Sequence, residues 1–122
     1  MQQRVTIVGV LPKLNDIIDD ARTHWAVSAK RKKDADTIVR HSLSKMLPIQ
    51  YPCTMSFEWY VSSNHDPDNI CAGGKKSILD SMQQAGKLQN DNQKWILGFE
   101  DTFIRTKRGD DKVIVTITEY EV

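Results

Sequence analysis

Cys53-Thr54-Met55-Ser56-Phe57-Glu58-Trp59-Tyr60-Val61 alternates apolar and polar side chains without a break. Successive strand residues point to opposite faces, so this period of two predicts a β-strand with one face on a core and the other on water or a partner. Upstream, Arg4 to Val10 reads as a shorter strand, apolar enough on both faces to be largely buried. Downstream, Trp95 to Ile104 and Val113 to Tyr120 read as two more strands, joined by a hairpin turn over Lys107 to Asp111 that contains Gly109.

Helical spacing fills the intervals. Asn15 is a plausible N-cap for a helix to about Trp25, with Asp16, Asp19 and Asp20 placed to favour its dipole. From about Ser28 to Leu47, the residues Ala35, Ile38, Val39, Leu43, Met46 and Leu47 make one apolar stripe. A third helix starts beside Asp68 and ends near Ala85, with Gly86 at the C′ position and Ile78, Leu79, Met82 and Ala85 expected on its buried side. Gly73-Gly74 is expected to permit an irregular helix start. The order β-α-α-β-α-β-β predicts a single α+β domain over residues 1–122, a mixed β-sheet packed against helices.

The chain has 122 residues, 39% hydrophobic and 27% charged, which suits one soluble globular domain and excludes a disordered tract. No apolar run approaches the roughly 20 residues of a membrane span, and Met1-Gln2-Gln3-Arg4 does not open a signal peptide, so a cytoplasmic location is expected. Cys53 and Cys71 form no C-x-x-C pair, which argues against zinc and for two reduced thiols. Net charge is +1, yet residues 1–50 carry +4 and residues 51–122 carry −3. A phosphate-facing surface beside a cation-binding one would have this asymmetry.

The acidic half contains His65-Asp66-Pro67-Asp68-Asn69. Proline biases its predecessor toward extended backbone, where side chains two apart point the same way. Asp66 and Asp68 can then converge just past a strand end, where two carboxylates repel unless a proton or cation intervenes. Hard, oxygen-liganded Mg²⁺ or Mn²⁺ is the natural occupant. A third acidic group is wanted, and Asp91 is the best candidate if the chain folds back after the third helix. The alternative is a solvated or helix-capping Asp pair with Asp91 in an ordinary Asn-rich turn. Lys30-Arg31-Lys32-Lys33 has two readings as well: a solvated helix face, or phosphate contacts on DNA. Arg105, Lys107 and Arg108 share them. Trp25, Trp59 and Trp95 read as core or interface anchors, and His24 and His41 as surface residues.

From His65 onward the chain resembles the RusA family of Holliday-junction resolvases, small endonucleases of phages and prophages. The resemblance lies in His65-Asp66-Pro67-Asp68-Asn69, Lys76, Leu79-Asp80, Ala85-Gly86 and Asn90-Asp91, with Val115-Thr116-Ile117-Thr118-Glu119 similar to the family's last strand. Weaker similarity reaches Leu11-Pro12 to Asn15 and Arg22-Thr23-His24. The segment Ile70 to Gly74 is longer than in the best-known members, and His65 stands where arginine often precedes the first aspartate.

The resemblance implies a RusA-like dimeric fold and a divalent-metal-dependent endodeoxyribonuclease that resolves four-way DNA junctions by paired nicks, in recombination and repair. It implies Asp66, Asp68 and Asp91 as catalytic metal ligands for Mg²⁺ (Mn²⁺ substituting) and Lys76 as catalytic lysine, with Lys75 the alternative. His65, Lys75 and Lys30 to Lys33 become DNA contacts, Asn69 a supporting or capping residue, and a bacterial host cell the expected location. Branched DNA and a second copy of the chain are the implied partners, since two opposed cuts need two sites. The rivals are a flap nuclease of the same fold and a branched-DNA-binding module that does not cut.

Overall fold

The computed structural model describes residues 1–11, 18 and 25–121, with the side chains of 25–28 and 31 outside the description. Four strands form one sheet: β1 (Gln2–Val8), β2 (Cys53–Val61), β3 (Ile96–Arg105) and β4 (Lys112–Glu119). Two helices are described, α1 (Trp25–Leu43) and α2 (Pro67–Gln84). The expected helix from Asn15 to Trp25, apart from Ile18 and Trp25 themselves, and the similarity at Arg22-Thr23-His24 lie outside the described residues.

The strand order is β1-β4-β2-β3, antiparallel except for the parallel β2–β3 pair. Parallel neighbours require a long crossover, and α2 supplies it. Met55, Phe57 and Trp59 on β2 share one face with Val113, Val115 and Ile117 on β4 and with Val5 and Ile7 on β1. These side chains are buried against Val39 and Leu43 of α1 and Ile78, Leu79 and Met82 of α2. The mixed α+β sheet with helices follows the expectation from period two and period 3.6.

Several local expectations need correction. Lys107 to Asp111 does turn, with Gly109 at φ 93° and the Asp110 amide donating to the Lys107 carbonyl at 3.0 Å. It is no hairpin, because β2 lies between the strands it joins. The unbroken alternation of β2 suits a central strand with two neighbours, and sequence adjacency did not reveal that. On β1, Val8 (67% exposed) and Val10 just beyond it lie open, since both described helices pack on the Val5–Ile7 face. Helix α1 stops at Leu43 rather than Leu47. The Gln3 side chain accepts from the Leu47 amide and donates to its carbonyl, tying the following segment to β1.

Gly73 and Gly74 lie inside regular helix, not at an irregular start. A Cβ on Gly74 would come within 2.5 Å of the Trp59 ring. The glycine is there because helix and sheet approach closely at the largest fully buried side chain. At the other end of α2, Gly86 has φ 73°, and the Lys87 amide donates back to the Met82 carbonyl, the expected left-handed C-terminal cap.

Candidate active site at the start of helix α2

Pro67 occupies the first turn of α2, where its missing N–H costs nothing, and Asp66 stands at the N-cap in extended conformation. The Ile70 amide donates to the Asp66 carbonyl, while the Asp66 carboxylate makes no capping hydrogen bond. Asp68 already lies in the helix, so the extended geometry expected through Asp66-Pro67-Asp68 stops at Asp66. Both carboxylates are exposed at the helix N-terminus, beyond the carboxyl end of β2. Parallel strands beside a crossover helix commonly bind ligands there. The Asp68 side chain takes the Asn69 amide at 3.0 Å.

One helical stripe runs from this end. Positions 68, 71 and 75 recur at three and four residues, so Asp68, Cys71 and Lys75 share a face. Lys75 meets β3: its Nζ donates to Asp101 Oδ2 at 2.6 Å and lies 4.4 Å from the centroid of the Phe99 ring. The other oxygen of Asp101 accepts from Trp59 Nε1 at 2.9 Å. Lys75 is 17% exposed and Asp101 22%. Burial pushes the Cys71 thiol above its ordinary value; Lys75 pulls it down, and Asp101 and Asp68 push it up. Those three charges therefore act on one neighbourhood.

Lys76 points elsewhere. It pairs with Asp80 at 3.4 Å on the outer side of the helix and is 62% exposed. Asp91 is not brought to the aspartate pair either. It follows the far end of α2, just before a turn whose Trp95 carbonyl accepts from the Cys53 amide at the opposite end of β2. Nine residues of β2 separate that end from Ser62, roughly 25–30 Å of strand. Among the described residues, no three His, Cys, Asp or Glu groups gather closely enough to hold a metal ion.

Compared with protein-family models, the chain matches none. No curated protein matches it either.

The remaining residues sort simply. Lys30, Lys32 and Lys33 are exposed on α1, compatible with both readings of the basic run, and His41 is exposed as expected. Trp59 is a core anchor, and Trp95 packs partly buried against the core. Cys53 and Cys71 are free thiols. No helix among the described residues is long and apolar enough to cross a membrane. Sequence reasoning missed Asp101. Its available signal was phase: Phe99, Asp101 and Phe103 fall on one face of β3, so a carboxylate sits in step with aromatic residues facing the helix.

Proposed function

We propose that this chain is a metal-dependent endonuclease for branched DNA, four-way junctions foremost, acting as a homodimer. The observation that carries the reading is the helix start where Asp66 and Asp68 stand exposed, with Lys75 on the helical stripe of Asp68. Exposed paired carboxylates suit Mg²⁺ or Mn²⁺, which when bound would supply charge neutralisation and an activated water for phosphodiester hydrolysis. Asp66 and Asp68 hold and orient; the lysine stabilises charge developing on the phosphate. That role is assigned to Lys75 rather than Lys76, because Lys75 is in helical phase with Asp68 and its ammonium is held in place.

Asp91, a sheet-length away, enters such a site only from a second copy of the chain. A two-fold dimer would then carry two composite sites, as paired nicks on a near-symmetric junction require. The test is incubation of the purified protein with a labelled four-way junction in Mg²⁺ or Mn²⁺. Paired nicks that vanish in Asp68→Asn support the reading. Tight binding with no cleavage in either metal would replace it with a binding module, and cleavage confined to flapped substrates with a flap nuclease.

A further inference from the structure

Beside the aspartate pair, between the carboxyl ends of β2 and β3, lies an open cavity of about 180 Å³ lined by Ser63, His65, Pro67, Ile70, Phe103 and Arg105 among others. Among the described residues, no carboxylate lines it. His65 and Arg105, 40 positions apart in sequence, both line it.

Phe103 ends a buried aromatic series. Phe57 stacks on Trp59 with centroids 5.4 Å apart and planes at 12°; Trp59 stacks on Phe103 at 6.5 Å and 15°. Phe103 is the solvent end, 37% exposed, and it lines the cavity while Trp59 does not. The next flat ring in the series would come from a ligand. In size, the cavity resembles the roughly 150 Å³ that accepts one benzene, so it suits one six-membered ring and not a base pair. A ring platform beside a guanidinium and an imidazole is the chemistry that holds an unpaired nucleotide.

We propose that this cavity is a subsite for one unstacked nucleotide of the DNA, its base on Phe103 and its phosphate at Arg105 and His65. The inference rests on the branched-DNA reading and gives it a substrate feature: a base displaced at the branch point, next to the strand presented to Asp66 and Asp68.

The test is photocrosslinking of the full chain to a four-way junction carrying 5-iododeoxyuridine at the branch point, in Ca²⁺ to hold cleavage back, with the attachment site read by mass spectrometry. A short single-stranded thymidine oligonucleotide with the same label serves as a second probe. The expected crosslink is at Phe103, lost in Phe103→Leu and restored in Phe103→Tyr, with Phe103→Leu melting close to the parent. Affinity for the junction should fall roughly tenfold in Phe103→Leu and also in Arg105→Gln. A bound junction crosslinked away from the cavity overturns the subsite and leaves the nuclease reading standing. A Phe103 crosslink with the oligonucleotide but no junction binding keeps the subsite and removes the junction as substrate. Failure to bind either probe overturns both.

Discussion

Asp101 accepts two hydrogen bonds at once, from Lys75 Nζ through one carboxylate oxygen and from Trp59 Nε1 through the other. The carboxylate thereby joins a helix cation to the largest buried ring of the sheet. It satisfies an indole N–H that has little access to water, and it sets where the Lys75 ammonium stands.

Lys75 and Lys76 should consequently behave differently. On the nuclease reading, Lys75→Ala should lower kcat for junction cleavage by roughly 10²–10³-fold. Lys76→Ala should stay within a few-fold, because its exposed pairing with Asp80 contributes little. Single-turnover cleavage of both variants checks this, and the reverse ranking would return the lysine role to Lys76.

Asp101→Leu leaves the Trp59 N–H without its acceptor and should destabilise the fold by about 1–3 kcal/mol. Asp101→Asn keeps an acceptor for the indole while removing the charge opposite Lys75, so its loss in stability should be smaller. Urea denaturation of the pair separates the two; equal losses would mean that the ion pair, not the indole bond, dominates.

Gly74→Ala drives a methyl group into the Trp59 ring. Overpacking of this kind costs about 1–3 kcal/mol. Gly86→Ala meets no neighbour but sits at φ 73°, so its penalty is backbone strain alone and should fall near 1 kcal/mol. Thermal melts should show lower midpoints for both, and partial recovery of Gly74→Ala by Trp59→Leu would confirm the contact. Gly74→Ala at parental stability contradicts the close approach.

Burial, and then Glu119, pushes the Cys53 thiol from 9.0 to about 11. The unfolded chain releases this proton at lower pH than the folded one. The stabilising contribution is therefore fully present below pH 9 and is lost as pH rises toward 11. A shift of this size corresponds to about 3 kcal/mol. The unfolding free energy of the parent should fall more steeply over that window than that of Cys53→Ala, which lacks only this thiol. Parallel pH profiles would contradict it.

A composite site makes a subunit-mixing prediction. Asp68→Asn and Asp91→Asn should each be inactive, and their mixture should regain about a quarter of the parental sites, one intact site in each heterodimer. A mixture as inactive as its components would mean that Asp91 serves within its own chain, and an active Asp91→Asn would mean that it does not serve at all.

Local signals were legible in the sequence because they depend on near neighbours. The unbroken alternation of Cys53 to Val61 declared a strand, and the structure matches its bounds. Gly86 marked the C-terminal end of α2 through left-handed backbone, whereas Pro67, read as holding an extended segment, opens the helix instead. Asp66 and Asp68 stood out because two carboxylates so close in sequence need an explanation in charge. What the sequence left open were relations between distant segments. The insertion of β2 between β3 and β4 decides which loops share an end of the sheet, and no property of Lys107 to Asp111 encodes it.

The same holds at the candidate site. Sequence by itself determined that the aspartate pair begins a helix carrying two adjacent lysines. Tertiary structure alone decided which lysine faces β3, because a helix turns about 100° per residue and only packing fixes its rotation. It also chose Asp101 as that lysine's partner and set Asp91 at the opposite end of the sheet, since crossover length and strand direction, not spacing along the chain, govern which ends meet.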